Sequence, residues 1–350
     1  MTPGDRRAVA VWLLVCAAFT LAMVMVGGIT RLTESGLSIV EWQPLAGALP
    51  PLSQAEWEAL FAKYRETPQF RQVFSGMDLA AFKSIFWWEY LHRLLGRLIG
   101  LVFLLPFLFF HFKRKLSKPL AWKLAGIFVL GALQGAMGWY MVKSGLVDDP
   151  RVSHFRLTAH LGLALLIFSA EFWIALELLP VHDESGNAKP RPFPLVVIAL
   201  VFLMALSGGF VAGLRAGHAY NSFPLMNGHF VPPEAFMLEP WWRNFLWNVA
   251  TVQLAHRAFF WLLAILIPLV WIQMRNTSAK VAAHHLLAMF ALQATLGIST
   301  LLLAVPVPLA AAHQAGAVLL LACALWTAHA ARKAPSDAAA FAPHHARLGE

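Results

Sequence analysis

The chain is 350 residues long, 59% hydrophobic and only 13% charged, with a mean hydropathy of +0.63. A soluble chain of this size would lack the polar surface to cover itself, so the composition is that of an integral membrane protein. The formal charge of +9 does not point to nucleic acid, because the basic residues sit in short stretches between apolar runs, where orientation signals sit.

Apolar runs of about 20 residues, the helix length that crosses a bilayer's hydrocarbon core, fall near 9–28, 91–111, 121–141, 157–179, 193–214, 254–273, 281–303 and 308–331. The expected fold class is therefore an all-α integral membrane protein with eight transmembrane helices. The first run follows Arg6 and Arg7. It exceeds the ~7–15-residue apolar core of a signal peptide and no A-x-A-like site closes it, so it is expected to be retained. With nothing ahead of it long enough for a mitochondrial presequence, the expected location is a bacterial plasma (inner) membrane.

The stretch from Arg31 to about Trp88 is the longest polar segment. Ser53-Gln54-Ala55-Glu56 is a capping-box pattern that predicts a short helix through Tyr64, and Asp78 predicts the start of a helix leading into the second span. LAGALPP, Leu45 to Pro51, reads as an extended turn region. Lys113, Arg114, Lys115, Lys118 and Lys123 crowd the second connection, Lys189 and Arg191 the fourth, Arg275 and Lys280 the sixth, and Arg332 and Lys333 the tail. The positive-inside rule then puts those connections and both termini in the cytoplasm, and the 31–88 loop outside. Trp241, Trp242 and Trp247 read as an interfacial belt. Cys16 and Cys323 lie inside apolar runs near opposite ends, which indicates neither a disulfide framework nor a thiolate metal site.

A four-span unit occurs twice. Gly27-Gly28 is matched by Gly208-Gly209, Leu91-His92-Arg93 by Ala255-His256-Arg257, and Ala132-Leu133-Gln134 by Ala291-Leu292-Gln293. Gly138 is matched by Gly297, and His160 by His313. Four spans return the chain to the same side, so two four-helix bundles related by a pseudo-twofold axis along the membrane normal are expected. The boundaries are 1–180 for the first bundle with its long outer loop, and 181–350 for the second.

Within each unit two histidines lie on separate helices near the outer ends. Neutral imidazoles facing one another in a bundle can ligate haem iron, which makes His92 with His160, and His256 with His313, two candidate metal-ligand pairs. Zinc is the competing reading, but neither cysteine nor an HExxH pattern accompanies these residues. His154, His182, His218, His229, His284 and His285 break the repeat or fall near loops and are set aside as background. Glu89 shares a helix face with His92, whereas the repeat puts Gln253 at its place in the second unit. Since glutamine cannot carry a proton, proton-coupled chemistry is expected in the first half, unless Glu89 is taken up by a salt bridge with Arg93 or Arg97. Gly96, Gly138 and Gly297 allow close helix contact or a flat ligand. Arg31, Arg93, Arg97, Arg156, Arg215 and Arg257 lie near outer ends and suit carboxylates such as propionates.

The strings GGITRLTESGLSIVEWQPLAGALPP (27–51), FWWEYLHRLLGRLIG (86–100), LQGAMGWYMVKSGL (133–146), RLTAH (156–160), GGFVAGLRAGHAYNSFPLM (208–226), LGISTLL (296–302) and HQAGA (313–317) closely resemble the haem A synthase family. The likeness runs from about Val26 to Leu320 with no motif out of order. It implies oxidation of the C8 methyl of haem O to a formyl group by successive hydroxylations, for cytochrome oxidase assembly. It implies a permanent haem b on His256 and His313 with Arg257 beside it. It also implies substrate haem O on His92 and His160, with Arg93 and Arg97 nearby and Glu89 as the catalytic acid or base. Haem O synthase is the expected substrate donor. The electron donor, a quinol or a ferredoxin-like protein, and the choice between monomer and homo-oligomer are not readable from the chain. Some members carry a cysteine pair in an outer loop that this chain lacks. A quinol-linked membrane cytochrome b and a haem transporter or chaperone are the other classes open at this point.

Overall fold

The computed structural model describes residues 1–42, 46–146, 150–179 and 192–332. They form α1 (Pro3–Leu32), α2 (Gln54–Arg65), α3 (Pro68–Gln72), α4 (Leu79–Phe112), α5 (Lys118–Gly145), α6 (His154–Leu178), α7 (Pro192–Gly213), α8 (Asn244–Trp247), α9 (Val249–Met274), α10 (Lys280–Leu302) and α11 (Val307–Ala331). Eight of these, all but α2, α3 and α8, are long and apolar enough to cross a membrane. Among the described residues there is no strand, only an isolated bridge between Met226 and His229. The expected all-α membrane class holds.

Two helices start earlier than hydropathy alone suggests, because capping rather than apolarity sets a helix start. Thr2 and Asp5 close a capping box that begins α1 at Pro3. The Asp78 carboxylate accepts from the Ala81 amide at 2.8 Å, so α4 begins well ahead of its apolar run and projects from the membrane. Ser53 and Glu56 form the expected capping box of α2. Leu45 of the expected turn region lies outside the described residues, and Ala46–Ala48 is a single 3-10 turn rather than extended chain. Tyr90 Oη pins that turn by donating to the Ala48 carbonyl at 2.7 Å.

The projecting part of α4 is the floor on which the outer loop rests. Trp57, Tyr64, Phe82, Phe86 and Tyr90 make one buried cluster, with Trp57 edge-on to Phe86 at 4.8 Å between ring centroids. Tyr64 Oη donates to Gln69 Oε1 at 3.0 Å, and burial pushes its phenol pKa up, so it stays a donor. Gln69 in turn donates to the Glu34 carbonyl at 2.8 Å, which ties α3 to the chain leaving α1.

Inside the bundle α1 packs on α4 and α6, α4 on α5, and α5 on α6. The same neighbours recur among α7, α9, α10 and α11. Contact between the two sets runs through α1 with α11, α6 with α7, and α6 with α11. The spanning windows of α1 and α6 are 50% buried and that of α11 is 39%, against 11–22% for the others. The first three therefore form the centre, and the rest turn broad apolar faces outward, as lipid contact requires. Both cysteines are free.

If the aromatic cluster holds the outer loop, Phe82→Ala should cost about 3–5 kcal/mol locally, as for other large-to-small core changes. Residues 33–78 should then be nicked by protease while the helix content of the spans is kept; wild-type protection would mean that the cluster is not what holds the loop.

Candidate functional site

A helix presents a side chain to a neighbouring helix only where that neighbour leaves room. Each of the four paired histidines meets a glycine. A Cβ added at Gly27 of α1 would lie 3.0 Å from His92 Nε2, and one at Gly138 of α5 would lie 3.2 Å from His160 Cε1. In the second half a Cβ at Gly208 of α7 would lie 3.4 Å from His256 Cε1, and one at Gly297 of α10 would lie 2.7 Å from His313 Cε1. The pattern recurs helix for helix, so the matched glycines of the repeat are the surfaces that the imidazoles lie against. His92 is within electrostatic reach of His160, and His256 of His313. All four line one cavity of about 1420 Å³, larger than the ~300–1,000 Å³ of a single ligand pocket.

The matched glutamines have a common job. Gln134 Nε2 donates to the His160 carbonyl at 3.1 Å, and Gln293 Nε2 to the His313 carbonyl at 2.9 Å. Each thereby fixes the histidine turn of α6 or α11 against the helix before it. Gln134 Oε1, Gln293 Oε1, His160 Nδ1 and His313 Nδ1 are buried with no hydrogen-bond partner, again at equivalent places. Paired neutral imidazoles around an apolar, glycine-faced cavity suit haem iron. Among the described residues no group of three or more His, Cys, Asp or Glu side chains could hold a metal ion, so the zinc reading finds no ligand set there.

Glu89 and Arg93 are engaged with the outer loop. One Glu89 oxygen accepts from Arg93 Nε at 3.1 Å and Nη2 at 2.6 Å. The other accepts from Ser38 Oγ at 2.7 Å and the Ile39 amide at 2.8 Å. Arg93 also donates to the Ile39 and Glu41 carbonyls at 2.8 and 3.0 Å. The second half repeats this clamp with opposite polarity. Gln253 Nε2 donates to the Ala216 and Ala219 carbonyls at 2.7 and 2.6 Å, and its oxygen accepts from Arg257 at 2.8 Å. Arg257 donates to the Tyr220, Ser222, Pro224 and Leu225 carbonyls.

This changes the meaning of Glu89 against Gln253. The first loop offers donors, which need a carboxylate; the second offers carbonyls, which need an amide. The difference thus has a structural reason beside any proton chemistry, and Glu89 is in a salt bridge with Arg93. The arginines have loop partners too. Arg93 and Arg257 spend their Nη groups on loop carbonyls rather than standing open for propionates, although both line the cavity. Arg31 donates to the Ala212 carbonyl at 3.1 Å, Arg215 pairs with Glu34, and Arg156 lies over the Tyr140 ring. Arg97 lines the cavity.

Of the background histidines, His154 is buried among Phe155, Phe210 and Trp247. His284 and His285 bond carbonyls of their own helix, and His182 lies outside the described residues. Sequence reasoning missed three polar residues. Ser207 touches His256 Nδ1 at 2.8 Å, with nothing in the sequence to single it out. Thr20 Oγ1 donates to Glu171 at 3.0 Å, and both line the cavity. The signal for Glu171 was available, since a carboxyl in the middle of an apolar run is costly and usually functional.

The chain matches the family model described as cytochrome oxidase assembly protein over residues 10–325. It is 61% identical over 336 residues to the protein named heme A synthase of Nitrosospira multiformis, covering 94% of each chain. It is 54% identical over 331 residues to that of Nitrosomonas eutropha, covering 92% of this chain and 93% of the relative. It is 47% identical over 331 residues to that of Parvibaculum lavamentivorans, covering 94% and 95%.

The clamp makes Glu89→Gln a non-neutral change, because an amide has one acceptor oxygen and cannot accept from both Arg93 and the Ile39 N–H. Amide exchange at Ile39 should rise by about tenfold or more, as for a lost hydrogen bond to a charged group; an unchanged rate would refute the polarity argument.

Proposed function

The chain belongs to the cytochrome oxidase assembly protein family, and on that premise we propose that it is a haem A synthase, an enzyme that oxidises the C8 methyl of haem O to a formyl group by successive hydroxylations. The observation that carries this reading is the pair of imidazole couples, one per half, each backed by glycine in a common cavity. The relatives' shared name supports it. The reading treats 1–180 as the half that takes the substrate and 181–350 as the half that keeps a cofactor. It places the chain in a bacterial inner membrane with both termini cytoplasmic, receives haem O from haem O synthase, and draws electrons from a quinol or a ferredoxin-like protein.

In this reading His256 and His313 hold haem b, whose chemistry when bound is one-electron transfer. His92 and His160 position the substrate, with Arg97 in the same wall and Arg93 fixing the loop above. Glu89 lies in the cavity wall with four hydrogen bonds on its carboxylate. Glu89 is the catalytic acid or base of this reading, and its bonds to Ser38, the Ile39 amide and Arg93 hold the 38–41 segment beside it. The glycine faces let a flat ring approach both helices, and the apolar remainder of the cavity excludes water.

A membrane cytochrome b relaying electrons across the bilayer needs haems toward both faces. Here His92 and His256 lie toward the helix ends that carry the 33–78 and 214–248 loops, and His160 and His313 toward the N-terminal ends of α6 and α11 on the same side, which speaks against that alternative.

Mass identification of the haems extracted from the purified protein should give haem b together with haem O or A; haem b alone would favour the electron carrier. Glu89→Ala should retain haem b and abolish haem A, and loss of haem b from that variant would count against the division between the halves.

A further inference from the structure

The two halves correspond at α6 and α11, apart from Gln134 Nε2 lying 3.4 Å from His160 Nε2, and differ at α4 and α9. His160 and His313 each turn Cε1 to a glycine, and each has its carbonyl held by a glutamine. The other two rings are held differently. Ser207 Oγ lies 2.7 Å from the Met204 carbonyl and 2.8 Å from His256 Nδ1. A hydroxyl has one hydrogen, and a carbonyl can only accept, so Ser207 donates to Met204 and accepts from His256 Nδ1–H. That assigns the proton to Nδ1 and leaves the lone pair on Nε2, the nitrogen free to bind a metal.

The repeat register that pairs Gly27 with Gly208 puts Val26 where Ser207 stands. Valine offers no acceptor, and among the described residues nothing hydrogen-bonds the His92 ring. The ring occupies the matching place but is turned over about its Cβ–Cγ bond, an orientation that no hydrogen bond fixes. His92 lays its Nε2 and Cδ2 edge against Gly27, 3.0 and 3.3 Å from where a Cβ would stand, whereas His256 turns Cε1 and Nδ1 to Gly208, at 3.4 and 3.9 Å. One imidazole is locked in tautomer and direction; its counterpart is locked in neither.

We propose that Ser207 is the positioning residue that makes His256 a fixed iron ligand, and that Val26 at the matching place leaves His92 as the ligand that disengages from the substrate's iron. This rests on the proposed pairing of histidines with haems. It supplies what that pairing needs, since a substrate must be admitted and released while a cofactor must stay. His160 and His313 have no partner on Nδ1, so Ser207 gives the second half one supported ligand where the first half has none, and such support is worth about 10–100-fold in affinity.

The test uses the full-length haem-loaded protein and follows transfer of haem b to excess apomyoglobin, together with carbon monoxide binding after reduction. Ser207→Ala should release haem b about tenfold faster and gain carbon monoxide binding, and Ser207→Thr, which keeps the hydroxyl, should restore both. Val26→Ser should leave haem b unchanged and slow the release of haem O. Wild-type release from Ser207→Ala, with haem b lost from His256→Ala, would overturn the inference and leave the pairing standing. Full retention of haem b by His256→Ala would overturn the pairing and the inference with it.

Discussion

A membrane helix can show an imidazole to a flat partner only if the helix behind that ring carries no side chain there. Gly27, Gly138, Gly208 and Gly297 supply that bare backbone, one for each histidine. The rest of the bundle follows from keeping those four contacts. The glutamines at 134 and 293 pin the histidine turns of α6 and α11, and the central helices α1, α6 and α11 are the most buried. A polar ring inside an apolar bundle is expensive unless its surroundings are arranged for it, and here they are arranged twice.

The outer loops are held by a second recurring device, an arginine one turn beyond a glutamate or glutamine. Arg93 and Arg257 reach the carbonyls of chain segments that a bilayer could not solvate and that helix geometry leaves open. Arg215 with Glu34, and Arg31 with the Ala212 carbonyl, fasten the two outer regions to each other. The covers over the two halves are therefore joined by these two contacts.

Much of this was legible in the sequence. Eight spans, the capping box of α2, the Asp78 start of α4, the duplicated histidines, glycines and glutamines, and the family likeness all follow from spacing and residue type, because helix length, caps and repeats are local properties. The tasks of individual polar side chains were not. Arg93 and Arg257 look alike as candidates for carboxylates until the carbonyls of the loops are in place, and those come from chain 32 to 54 residues away. Glu89 against Gln253 looked like a difference in proton chemistry because the polarity of the facing loop cannot be read from its letters. Ser207 is one small residue among many, and only its distance to His256 distinguishes it. Thr20 and Glu171 meet across two helices far apart in the chain.

The central claim is that each histidine couple clasps one porphyrin. The most direct measurement is the position of iron in the haem-loaded protein, by anomalous scattering at the iron edge. The account predicts one iron between His256 and His313 and, with haem O supplied, a second between His92 and His160. A single iron bridging the two halves, or iron bound away from all four rings, would contradict it.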